Sequence, residues 1–98
     1  MRLLLIFVFL STVLNVNGQE TDIKTLLDSI SLEKDNEAKV KMHLRAVDYY
    51  QSQRSYDSSL VQLKLAEKLC LKLKNNQLTA ETYYKLGVVY SDLELGVE

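Results

Sequence analysis

Proline and tryptophan are absent from these 98 residues, cysteine and histidine occur once each, and glycine only three times. Each shortage excludes something. Without proline there is no rigid linker and no built-in helix breaker, so long uninterrupted helices are expected. One cysteine, Cys70, cannot close an internal disulfide, and one histidine, His43, has no Cys, His or paired carboxylate at metal-ligand spacing. Excess charge of one sign is also lacking. Twelve basic residues stand against 13 acidic ones, a net charge of -1, which gives no electrostatic reason to expect a nucleic-acid partner. The chain is long enough for one small domain, and its 47% apolar content suits a compact helical protein.

The one long apolar run lies at the start. Met1-Arg2 gives a short positive beginning, Leu3 to Leu14 is almost wholly apolar, and Asn15-Val16-Asn17-Gly18 is a polar exit with modest side chains. That order reads as an export signal spanning 1–18, cut between Gly18 and Gln19. The run is too short for a stable bilayer span of about 20 residues, yet left uncut it would tether the protein through residues 3–14. An exported location, periplasmic or extracellular, is therefore expected, with membrane anchoring as the alternative. No lipid-accepting cysteine follows the run.

The remainder divides into four helical segments. Ile23, Leu26, Leu27 and Ile30 make an i, i+3, i+4, i+7 stripe on a short leading helix from Asp22 to Ile30, capped by Thr21 or Asp22, with a polar loop at Glu33–Asn36. Asp35 or Asn36 caps a second helix, Glu37 to Gln53, whose face is Val40, His43, Leu44, Val47 and Tyr50, beside Ala46. A polar break follows at Ser52–Ser55. The third helix opens at Ser55 or Tyr56 and carries Tyr56, Ser59, Leu60, Leu63, Ala66, Leu69, Cys70 and Leu73 on one face. Lys72 and Lys74 fall in its expected last turn and Asn75-Asn76 at its end. The fourth runs from Thr79 to about Leu93. No segment alternates with period 2, so the expected fold class is all-α.

Tyr83, Leu86, Gly87 and Tyr90 also follow i, i+3, i+4, i+7 spacing and cut a small-residue notch into a helix face. Glycine inside a helix costs about 1 kcal/mol relative to alanine, and close approach of a neighbouring helix would offset it. Tyr83-x2-Leu86-Gly87-x2-Tyr90 resembles the first-helix signature of the tetratricopeptide repeat, with Tyr at the usual Trp position. Forty residues earlier stands His43-x2-Ala46-Val47-x2-Tyr50, where only the tyrosines match. Tyr56, Ser59, Leu63 and Ala66 are similar to the family's second-helix pattern. The resemblance spans about Val40 to Leu95. It implies a leading helix and loop over 19–36, one repeat over 37–78, and the first helix of an incomplete second repeat over 79–98.

That family builds α-solenoids from antiparallel helix pairs that bind proteins or peptides, and its longer repeats occur behind signal peptides in exported bacterial sensors and regulators. The resemblance implies a protein-interaction module at the extracytoplasmic N-terminus of a longer signalling or regulatory protein. A freestanding structural or assembly factor at the cell envelope, oligomeric through the fourth helix, is the alternative. Val88, Val89 and Leu93 are expected to lack a partner helix, and the isolated domain to be marginally stable. First helices line the concave surface in such repeats, which places Lys41, Leu44, Asp48 and Gln51 on one strip and Tyr84, Val88 and Ser91 on the next. Leu44 and Asp48 stand where carboxylate-gripping members carry Lys and Asn, so a peptide held by mixed contacts is expected, with Tyr84 as its anchor.

Chemistry-bearing residues point the same way. His43 and Cys70 both fall on apolar helix faces, where packing outweighs reactivity. Asp48, Asp57 and Asp92 read as isolated carboxylates, and Lys64, Lys68 and Lys72 as a solvated row with Glu67 beside it. No catalytic, cofactor-binding or metal residue is expected, and no enzyme.

Overall fold

The computed structural model describes residues 23–94, which form four helices and no strand. Helix α1 covers residues 23–32, α2 Asn36–Ser52, α3 Tyr56–Cys70 and α4 Asn76–Glu94. The fold class is all-α, as expected. The expected export signal over 1–18 and its expected cleavage point lie outside the described residues. Among those described, no helix is long and apolar enough to cross a membrane.

Local chemistry sets each boundary. Glu33 closes the α1–α2 turn, its Oε2 accepting the Lys34 and Asp35 backbone N–H groups at 3.1 and 3.0 Å. Asp35 then caps α2 by accepting the Ala38 N–H at 2.9 Å, and Glu37 sits in the first turn, where the helix dipole favours a carboxylate. At the other end of α2, Arg54 adopts a left-handed φ of 57°. The Ser55 N–H reaches back to the Tyr50 carbonyl at 2.9 Å and the Arg54 N–H to Gln51 at 3.0 Å. Those two bonds make a Schellman ending, with arginine where glycine is usual.

Two boundaries differ from the sequence reading. Helix α3 stops at Cys70, so Lys72 and Lys74 fall beyond it and Lys68 is the base in its last turn. Asn75 does not end α3; it begins α4. Its Oδ1 accepts the Leu78 N–H at 3.1 Å and its carbonyl the Thr79 N–H at 3.1 Å, so α4 begins at Asn76 rather than Thr79. An asparagine after a helix can end one element or cap the next, and the bonds to residues 78 and 79 decide in favour of the cap.

Helix α3 is the central element. It packs along α2 on one side and α4 on the other, while α2 and α4 touch less. The core joins Val40, Leu44 and Val47 of α2 to Tyr56, Leu63, Ala66 and Cys70 of α3 and to Leu78, Leu86 and Val89 of α4. Every buried side-chain polar atom among the described residues has a partner. Ser59 and Thr82 donate to carbonyls one turn earlier, Ser55 and Leu78, at 3.1 and 2.8 Å.

Helix α4 is turned differently from the sequence expectation. Leu86 is buried, but Tyr83, Gly87 and Tyr90 face outward, the two rings 49% and 47% exposed. A Cβ placed on Gly87 would meet nothing within 4 Å, so no helix among the described residues presses on the notch. Val89, expected to be uncovered, is fully buried, Leu93 packs against the core and Val88 is half-buried. The bundle takes the face carrying Leu78, Thr82, Leu86 and Val89, which has no aromatic ring and whose one hydroxyl, on Thr82, is bonded to the Leu78 carbonyl. Tyrosine tolerates water through its hydroxyl, whereas Val89 has no such handle.

Candidate interaction surface

Three sides of α4 result: the buried one, the side bearing Tyr84 and Ser91, and the side bearing Tyr83, Gly87 and Tyr90. The second carries part of the expected ligand strip. Tyr84 is 73% exposed and Ser91 is exposed, while Val88 is half-buried. On α2, Lys41 and Asp48 are exposed and Gln51 is half-buried. Leu44 is a correction. Only 4% exposed, it belongs to the core and offers nothing to a ligand. The helical turn that points Lys41 and Asp48 outward carries Leu44 further round, against α3.

Asp48 is not isolated. Lys85 of α4 donates to its Oδ1, and this ion pair links α2 to α4. Sequence reasoning missed Lys85, because a pair separated by 37 positions leaves no local signal. Lys41 is committed to Glu37 at 3.6 Å, one turn away on its own helix.

The third side continues onto α3. Leu60, Val61, Lys64, Leu65 and Lys68 line a groove of about 530 Å³ with Tyr90. Val61 and Leu65 are 57% and 44% exposed. The Lys64 ammonium stands 5.8 Å from the centre of the Tyr90 ring and 3.6 Å from the Glu67 carboxylate. Its pKa is raised by the contact with the Tyr90 hydroxyl first and by Glu67 second. Glu67 in turn raises the phenol pKa of the neighbouring Tyr83. Of the lysine row, Lys64 is therefore engaged with the Tyr90 ring, while Lys68 and Lys72 are exposed.

His43 and Cys70 sit where the sequence placed them, inside. The His43 ring is 4% exposed and its Nδ1 lies 2.7 Å from Gln62 Oε1. Burial lowers its pKa below 6.5, partly countered by the Gln62 contact. Gln62 was overlooked as a core residue, although it lies three residues after Ser59 and four before Ala66, on the buried face. Cys70 Sγ is buried 3.6 Å from Thr82 Oγ1, joining α3 to α4. Among the described residues no three His, Cys, Asp or Glu side chains gather as metal ligands.

Comparison with known protein families, curated proteins and solved structures finds no match to this chain.

Proposed function

We propose that this chain is an exported, tetratricopeptide-like interaction module that binds a protein or peptide along the surface shared by α2 and α4. The observation that carries the reading is Tyr84, a large ring left 73% exposed beside the cross-helix Asp48–Lys85 pair. An exposed tyrosine next to an ordered ion pair supplies contact area and hydrogen bonding at low entropic cost. The ligand surface comprises Lys41, Asp48, Gln51, Lys85, Tyr84, Val88 and Ser91. The reading is supported by the repeat-like spacing of Tyr83, Leu86, Gly87 and Tyr90 and by the sequential packing of α2, α3 and α4. On this reading the chain is a regulator or sensor component and performs no chemistry on its ligand.

The test is selection of ligands from a library of extended and helical peptides. Wild type should select a family of peptides that a Tyr84→Ala/Asp48→Ala variant of equal helicity fails to bind. Equal binding by both proteins would remove this surface from consideration. A second reading, an envelope assembly factor, is favoured by the uncovered aromatic side of α4.

A further inference from the structure

On that uncovered side of α4, Asn76, Ala80, Tyr83, Gly87, Tyr90 and Glu94 follow one another at intervals of 4, 3, 4, 3 and 4 residues, and all six are exposed. This is the 3.5-residue period of a coiled-coil seam, distinct from the buried side of the same helix. The seam is also a palindrome centred on residue 85. Laid antiparallel on a copy of itself, Tyr83 faces the partner's Gly87, Ala80 faces the partner's Tyr90, and Asn76 faces the partner's Glu94. Each inner layer sets one ring against one small residue, which is how cores interdigitate. A two-fold interface must be self-complementary in this way.

Charge supports the same arrangement. Helix α4 has no acidic residue in its first turn and no base in its last, and its C-terminal end carries Asp92 and Glu94. Alone, that distribution opposes the helix dipole. In an antiparallel pair each acidic end lies beside the bare N-terminal turn of the other helix. Two-fold symmetry also puts both α3 helices on one side of the α4 pair, so Val61 and Leu65 are covered with the rings. The apolar surface removed is roughly 500 Å² per copy and about 1,000 Å² in all, the size of a weak, transient interface.

We infer that this chain forms an antiparallel homodimer through α4, with Gly87 as the notch that receives the partner's Tyr83. The inference goes beyond the ligand-binding reading and does not depend on it, because the seam and the Tyr84 strip lie on different sides of α4. Sedimentation equilibrium of the purified full chain tests it up to about 0.5 mM, a range that detects a weak dimer. A monomer–dimer equilibrium is expected, and a monomer throughout, even one whose seam binds a foreign helical peptide, overturns it. Gly87→Gln should melt no lower than wild type, since nothing among the described residues stands within 4 Å of a Cβ at that site, yet associate roughly tenfold more weakly or worse, as expected for a lost anchor. Undiminished association of that variant overturns the proposal. A mixture of Asn76→Cys and Glu94→Cys chains should form a mixed disulfide. Self-linking of Glu94→Cys alone would mean a parallel pair and overturn the register.

Discussion

Residues 43, 46, 47 and 50 on α2 and residues 83, 86, 87 and 90 on α4 occupy the same places on two helices, and their surroundings differ almost throughout. His43, Ala46 and Val47 are buried and Tyr50 is half-buried, because α3 lies over them. Of the α4 set only Leu86 is inside; Tyr83, Gly87 and Tyr90 face out. Equal spacing therefore does not mean equal burial. The position of the next helix decides, and the residue types record the outcome: a histidine tied to Gln62 and a valine on the covered side, two tyrosines and a glycine on the open one.

The contrast can be broken hardest from the covered side. Leu63→Ala removes the largest fully buried side chain, where α2, α3 and α4 meet. It should cost about 2–5 kcal/mol, enough to unfold much of a marginal domain, as chemical denaturation would read. Tyr83→Ala on the open side should leave monomer stability within about 0.5 kcal/mol.

Next comes Gln62→Leu, which strips the partner from buried His43 Nδ1 and should cost about 1–3 kcal/mol. The same histidine gives the covered side a pH signature. Burial lowers its folded pKa, so below 6.5 the unfolded chain takes a proton that the folded one resists. This contribution is complete above pH 6.5 and is lost as pH falls from there toward the folded pKa. Thermal melts should show the loss, and His43→Phe should abolish it.

Gly87→Ala should stabilise the monomer by about 1 kcal/mol, raising Tm by roughly 4–8 °C in dilute solution. Smallest of all, Asp48→Ala removes the exposed partner of Lys85, whose own side chain is 18% exposed, and should cost about 1 kcal/mol or less, with urea titration as the check.

Much of this architecture could be read in the residues. Four helices, the Asp35 cap, the break near Arg54 and the core faces of α2 and α3 follow from apolar spacing and capping chemistry. The rest depends on tertiary geometry. Asn75 could serve either helix it borders, and its bonds to residues 78 and 79 are what assign it. Helix α4 carries apolar or aromatic residues on two sides, so periodicity alone could not choose which one α3 would cover. Leu44 shares a strip with Asp48 in a linear reading but turns into the core. The Asp48–Lys85 pair and the groove between Leu65 and Tyr90 join distant segments and leave no local trace.

The covered and open faces can be compared directly through thiol-labelling rates at matched positions. In a Cys70→Ala background and at submicromolar protein, where association is negligible, Val47→Cys and Gly87→Cys report the two sites under native conditions. The thiol at 87 should react at nearly the rate of unfolded chain, and the thiol at 47 many-fold more slowly. Equal protection at both positions would mean that a helix covers Gly87 within the monomer, and would contradict the arrangement of α4 described above.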